Sequence, residues 1–202
     1  VGAGLSSSAA FEVVVGTIIS GLYNDMKINS VEIAQISQYA ENVFFKKPCG
    51  LMDQMACSVG GMVNIDFKDP TKPIVKKVPT EFEKYDYSLC IVDTKGDHVD
   101  LTDDYAMIPS EMKKVANFLG EDYLRDCDSN EFYIRLDEIR EAVGDRPVLR
   151  AIHFFNEEYN VKNAVSSLEN GKFVEFLDAI RKSGNSSFKY LQNVYTTRDI
   201  QH

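Results

Sequence analysis

The sequence lacks an excess of basic residues and any long apolar run. Lys and Arg number 22 against 31 Asp and Glu, which gives a net charge of −9. Nucleic acids and anionic membranes favour basic surfaces, so neither is an expected partner. The longest uncharged apolar stretch ends at Asp25 and is too short to span a bilayer. No secretory signal is recognised, and we expect a cytoplasmic protein.

Two common kinds of site are also missing. None of the four cysteines forms a Cys-x-x-Cys pair, and the three histidines stand at no metal-ligand spacing from them. We therefore expect reduced, mostly buried thiols and no zinc or redox centre. The chain has no Walker A Gly-Lys-Ser/Thr near its start, and no Lys or Arg precedes Lys27. A phosphate held there would depend on backbone N–H groups, hydroxyls and a metal ion.

The first ten residues are rich in glycine and serine and lead directly into an apolar helical pattern. Glycine lets a backbone approach a ligand closely, and the start of a helix points unpaired N–H groups and a positive dipole end outwards. Serine adds hydroxyl groups. The pattern therefore favours an anion site, although a flexible tail has the same composition. The residues concerned are Gly2, Gly4, Ser6, Ser7 and Ser8.

Periodicity predicts a mixed α and β chain. A first helix over residues 7–22 would be mostly buried, a second would begin after an Asn29 cap with Ile33, Ile36 and Ala40 on one face, and a third would cover 49–58. Period-two patterns predict a hairpin at 62–67 and 74–78 and a buried strand at 87–92. Four more helices are predicted at 103–119, 130–142, 147–169 and 171–183. The charged connection at 81–86 predicts a domain boundary near residue 80.

Two carboxylates flank a Pro-Cys-Gly turn after the second predicted helix. Glu41 could ligate Mg²⁺, which accepts one or two carboxylates and keeps water and phosphate oxygens as its other ligands. Asp53 could orient or deprotonate an alcohol. A carboxylate taken alone is more often a solvated surface group than a catalytic or metal-binding one.

These segments together resemble the GHMP small-molecule kinases. Residues 2–9 resemble the phosphate-binding motif of that family, and residues 48–54, Pro-Cys-Gly-Leu-Met-Asp-Gln, resemble the acidic motif of its galactokinases. Weaker likenesses are His98 with residues 101–105, and the helical segment 150–157. The resemblance covers nearly the whole chain.

The resemblance implies an α+β, two-domain GHMP fold. Residues 1–80 would form part of the N-terminal, ribosomal-S5-like domain that binds ATP, and residues 81–202 part of the ferredoxin-like C-terminal domain. It also implies ATP and Mg²⁺, and phosphorylation of galactose at its anomeric hydroxyl. The glycines and serines of the opening segment would bind the ATP phosphates, Ser7 and Glu41 would hold Mg²⁺, Asp53 would be catalytic, and Gly50, Asp53 and Tyr105 would contact the sugar.

Some parts of the family pattern are not found. The first, sugar-selecting motif and the glycine-rich third motif are not in this sequence, so we expect a fragment with little activity by itself. Galactokinases usually carry an Arg-Arg pair where this chain has Ile108-Pro109, and Lys46-Lys47 replaces a small apolar pair. Two alternatives stay open: a sensor that binds sugar and ATP without turnover, and a kinase for another sugar or a uronic acid. The sequence leaves the oligomeric state open.

Overall fold

The structure is a computed structural model that describes residues 5–46, 49–92 and 102–194. Gly2, Gly4, Pro48 and His98 therefore lie outside the described residues. The chain divides into two compact units, Val1–Asp93 and Thr94–His202. The division falls later than the boundary expected near residue 80, and the domain assignment stays a prediction.

The first unit consists of three helices and a two-stranded hairpin. Asn29 starts the second helix with a capping box: its Oδ1 accepts 3.0 Å hydrogen bonds from the N–H groups of Val31 and Glu32, and Glu32 Oε2 accepts from Asn29 N at 3.0 Å. Such a cap stabilises a helix by about 1 kcal/mol. The elements are α1 (Ser7–Tyr23), α2 (Ser30–Tyr39), a π-helical turn (Ala40–Phe44), α3 (Met52–Val59), β1 (Val63–Asp66), antiparallel β2 (Ile74–Lys77) and a 3₁₀ turn (Phe82–Lys84).

The core of this unit lies between α2 and α3, around Ala34, Leu51 and Met55, and α1 packs against both helices. Two sequence-based expectations about burial are wrong. On α1, Val13 is buried, but Val14, Ile18 and Leu22 are more than half exposed, because α2 and α3 cover only one side of the helix among the described residues. On α2, the buried face contains Ile33, Ala34 and Ser37, and it leaves Ile36 exposed.

The strand predicted at 87–92 is not formed. All six residues are exposed, and Leu89 is 96% exposed. A strand needs a neighbour for its N–H and C=O groups, and the sheet within the described residues contains only β1 and β2. The apolar composition of the segment was therefore insufficient to predict its structure.

The second unit is helical. Its elements are α4 (Thr102–Phe118), a 3₁₀ turn (Leu124–Asp126), α5 (Ser129–Ile134), α6 (Leu136–Val143), α7 (Asp145–Glu169), α8 (Phe173–Ser186) and a π-helical turn (Ser187–Leu191). The helix predicted over 130–142 is divided at Arg135, whose ψ of 17° departs from helical geometry; no Gly or Pro marks this break. Phe132 and Ile139, one on each side of it, are fully buried in the core with Val115 and Ala151. None of the helices in the described ranges is long and apolar enough to cross a membrane.

A buried ion-pair network joins α4 to α7. Arg146 Nε donates to both carboxylate oxygens of Glu111 at 3.0 Å, and Arg150 Nη1 donates to Glu111 Oε2 at 2.8 Å. Arg150 Nε also donates to the Leu191 carbonyl at 3.2 Å. Glu111 and Arg150 are 7% and 3% exposed, so this pair is part of the interior, whereas the Arg146 side chain is 43% exposed.

The four cysteines are free thiols, as expected, but they are not mostly buried. Cys57 and Cys90 are exposed, and Cys49 and Cys127 are half-buried. The expectation failed for Cys57 because it lies on the outer side of α3, and for Cys90 because it belongs to the exposed segment 87–92.

Candidate active site

The start of α1 has the features of an anion site. Ser6 adopts a left-handed conformation (φ 54°, ψ 42°) at the N-cap, and its side chain makes no capping hydrogen bond. The first turn of α1 contains no acidic residue, so no side chain there neutralises the positive end of the helix dipole. Ser7 and Ser8 are exposed. The first turn therefore presents N–H groups and hydroxyls and contains no acidic residue of its own.

Glu41 lies in the π-helical turn that follows α2 and is only 3% exposed. Ser8 Oγ donates to its Oε1 at 3.3 Å, and Gln54 Nε2 donates to its Oε2 at 2.8 Å. A buried carboxylate is costly without such donors. The two contacts join α1, the π-helical turn and α3 at one carboxylate.

Gln54 connects this carboxylate to its surroundings. Its side chain is 1% exposed, and its Nε2 also lies 3.4 Å from Glu12 Oε2 and 3.6 Å from Cys49 Sγ. Its Oε1 is buried and has no hydrogen-bond partner among the described residues. Burial and a hydrogen bond to Glu41, together with the charge of Glu41, raise the pKa of the Cys49 thiol to about 11. Cys49 is thus a neutral thiol beside a carboxylate.

The side-chain amides of Gln38 in α2 and Asn42 in the π-helical turn hold the loop that leads into α3. Cys49 N donates to Asn42 Oδ1 at 2.8 Å, and the Cys49 carbonyl accepts from Asn42 Nδ2 at 3.3 Å and from Gln38 Nε2 at 3.2 Å. These bonds fix the backbone immediately before Gly50. A Cβ placed on Gly50 would meet nothing within 4 Å, and its φ is not in the left-handed region. Neither packing nor backbone conformation within the described residues requires glycine there, which is compatible with the approach of a ligand.

Asp53 is exposed in the first turn of α3. It directly precedes Gln54, whose amide reaches Glu41, and Glu41 in turn accepts from Ser8. The structure therefore brings Ser8 and Glu41 into contact and places Asp53 one residue from the side chain that completes this network.

Tyr105 belongs to the second unit. It is 54% exposed in the first turns of α4, and Pro109, four residues later, has no N–H to donate to its carbonyl. Its ring is thus accessible to a ligand. The segment 150–157, which resembles a helical segment of the family, lies on α7, where Arg150 and His153 are buried.

The donors in the first unit suit Mg²⁺. Carboxylate and hydroxyl oxygens are hard ligands, and Mg²⁺ is usually bound by one or two carboxylates together with phosphate oxygens and water. No group of three or more His, Cys, Asp or Glu residues in the described ranges could hold a metal by itself. These residues therefore fit a Mg²⁺ ion whose remaining ligands are phosphate oxygens and water.

Sequence reasoning did not identify Gln54 and Glu12 as parts of this site. Gln54 was visible as the residue after Asp53, but its contact with Glu41 spans 13 positions. Glu12 follows Ser8 by four positions and therefore shares its helix face, which was an available signal.

Residues 1–61 match the family model for the GHMP kinases N terminal domain. Among curated proteins, the galactokinase of Streptomyces coelicolor is 32% identical over 193 residues, which cover 93% of this chain and 48% of the relative. The galactokinase of Actinobacillus pleuropneumoniae is 32% identical over 172 residues, which cover 85% of this chain and 44% of the relative. The chain therefore spans just under half the length of these curated relatives.

Among solved structures, the galactokinase of Lactococcus lactis complexed with galactose matches with a TM-score of 0.68 and 22% identity, over 93% of this chain and 48% of that one. This likeness confirms the fold class that the sequence predicted. The chain therefore resembles the GHMP kinases, and residues 1–61 match their N-terminal domain. Within that family, the curated relatives that it resembles are galactokinases.

Proposed function

We propose that the whole protein transfers the terminal phosphoryl group of ATP to the anomeric hydroxyl of galactose. The proposal is supported by similarity to galactokinases over most of this chain. The observation that carries it is the network Ser8–Glu41–Gln54, which ties an anion-binding helix start to the turn that carries Asp53.

The phosphates of ATP would bind at the start of α1. The left-handed Ser6 and the uncapped first turn of α1 supply N–H groups, and Ser7 and Ser8 supply hydroxyls. The sequence adds Gly2 and Gly4 to this proposed site. A surface helix dipole contributes only about 0.3–1 kcal/mol per charge, so these groups bind and orient the phosphates without providing most of the charge stabilisation.

Mg²⁺ would be held by Glu41 and the Ser7 hydroxyl. When bound, it neutralises charge that develops on the transferred phosphoryl group. The contribution of the protein is to hold the Glu41 carboxylate in one orientation, with Oε1 on the Ser8 side and Oε2 on the Gln54 side.

Asp53 would receive the proton of the sugar hydroxyl and position its oxygen for in-line attack. An ordinary aspartate is a weak base towards an alcohol, since its pKa is about 3.9. A loose phosphoryl transition state, however, asks mainly for positioning, and the proton can leave as the new bond forms. Gly50 and Tyr105 would contact the sugar, Gly50 through the open space at its Cα and Tyr105 through its exposed ring.

The test is Asp53→Asn in the whole protein, with release of ADP measured against a panel of sugars and uronic acids. We expect kcat to fall by about 10²–10⁴-fold, with galactose the preferred substrate of the wild type. Asp86→Asn, at another exposed aspartate of the first unit, is the matched control and should leave kcat unchanged. Full turnover by Asp53→Asn would refute its role. A wild type that binds galactose and ATP but releases no ADP would instead be a sensor, and a different preferred sugar would correct the substrate.

A further inference from the structure

The buried amide of Gln54 faces three acceptors with only two N–H groups. The distances from Nε2 are 2.8 Å to Glu41 Oε2, 3.4 Å to Glu12 Oε2 and 3.6 Å to Cys49 Sγ. The contact with Glu41 is the shortest and is a charge-assisted hydrogen bond, which is the stronger kind. The amide is therefore mainly engaged with the Glu41 carboxylate.

The oxygen of the Gln54 amide has no partner in the part of the chain that the structure describes. Gln54 Oε1 is buried without a hydrogen bond, and an unsatisfied buried acceptor destabilises a folded protein. The opposite orientation of the amide would place Oε1 against two carboxylates, acceptor against acceptor. The observed orientation thus keeps a donor on Glu41 at the expense of Oε1.

We propose that Gln54 is a positioning residue for the metal, acting through the Glu41 carboxylate. The inference rests on the proposed function, in which Glu41 holds Mg²⁺. Gln54 occupies Oε2 and fixes the rotation of the carboxylate, which leaves Oε1 on the side of Ser8 and the phosphate-binding turn. Residues that orient a metal ligand in this way typically change metal affinity by about 10–100-fold when they are replaced.

The test replaces Gln54 by methionine, which has nearly the same volume but no donor. Mn²⁺ is the probe, and its affinity is measured by electron paramagnetic resonance in the whole protein with a non-hydrolysable ATP analogue. We expect Gln54→Met to weaken Mn²⁺ binding at least about tenfold, while the affinity for the metal-free analogue stays unchanged. A role in packing alone would lower the melting temperature without this selective loss.

Gln54→Asn serves if the methionine variant does not fold, because it keeps an amide but is one methylene too short to reach Glu41 in the same way. The matched control is Gln35→Met. It removes the 3.1 Å hydrogen bond that Gln35 Nε2 donates to the Thr71 carbonyl, elsewhere in the same unit. It should leave Mn²⁺ affinity within about twofold of the wild type.

The two proposals fail in different ways. If a folded Gln54 variant binds Mn²⁺ as tightly as the wild type, the inference about Gln54 is overturned and the proposed function stands. If the wild type itself binds no metal–nucleotide complex, both are overturned.

Discussion

Removing the Glu111 carboxylate should strongly destabilise the second unit. Glu111 Oε2 accepts from Arg150 Nη1 at 2.8 Å, and the Arg150 side chain is only 4% exposed. Arg150 cannot lose its proton at ordinary pH. Burial lowers its pKa while the charge of Glu111 opposes that shift. In Glu111→Ala the guanidinium would keep its hydrogen bond to the Leu191 carbonyl but lose its counter-charge.

Breaking a buried ion pair in this way costs about 3–5 kcal/mol. An exposed pair supplies the comparison: Arg135 Nε donates to Glu138 at 3.0 Å, but the Glu138 side chain is 65% exposed. Such surface pairs contribute about 0–1 kcal/mol. Glu138→Ala should therefore cost several-fold less than Glu111→Ala, which removes the partner of both the buried Arg150 and the more exposed Arg146.

Urea unfolding followed by far-UV circular dichroism measures the free energy of unfolding of both variants. For a unit of roughly 100 residues, a loss of about 3 kcal/mol lowers the melting temperature by about 12 °C or more. The double variant Glu111→Leu with Arg150→Met removes both buried charges and should recover most of the loss. If Glu111→Ala costs no more than Glu138→Ala, or if the double variant is worse than the single one, the assignment of a buried, mutually dependent pair is wrong.

Two further predictions concern the first unit. Gly60→Ala should lower the free energy of unfolding by about 1–3 kcal/mol, because its backbone angles (φ 68°, ψ 158°) lie in a region that is essentially restricted to glycine. Gly50→Ala should change the free energy of unfolding by less than about 1 kcal/mol, because a Cβ there meets nothing within 4 Å among the described residues. It should instead raise KM for the sugar. Equal costs in a urea titration, or an unchanged KM, would contradict these assignments. Cys49, with a pKa of about 11 against a usual 9.0, should be alkylated at pH 8 about a hundredfold more slowly than in the urea-unfolded chain. Because the folded state holds this proton more tightly, stability should fall as pH rises from 9 towards 11, and equal alkylation rates by mass spectrometry would refute the shift.

Local signals predicted the helices and the hairpin of the first unit well. The Asn29 cap with Glu32 three residues later is a capping box, and α2 begins at Ser30 as that pattern predicts. Helix α1 begins at the predicted Ser7 and ends one residue beyond the predicted Leu22. The hairpin also forms within the predicted ranges. In each case the information lies within a few residues of the element that it determines.

Features that depend on distant parts of the chain were not predicted. The segment 87–92 has the composition of a buried strand, but pairing is decided by a neighbour and not by composition. The exposure of Val14 and Ile18 follows from where α2 and α3 pack, which the periodicity of α1 does not contain. The bond between Gln54 and Glu41 depends on the fold of the intervening loop.

The position of Glu41 follows from physical reasoning about the buried face of α2. Ile33 and Ser37 lie on that face, and residue 41 comes four positions after Ser37, at the spacing that continues the same face into the π-helical turn. A carboxylate there is buried and destabilises the unit unless other elements supply donors. Ser8 of α1 and Gln54 of α3 supply them, yet the oxygen of Gln54 then has no partner within the described ranges. An apolar residue would pack on this face without any of these requirements. Departures of this kind from local rules occur mostly at functional sites, which favours a use for the charge of Glu41 such as the proposed binding of Mg²⁺.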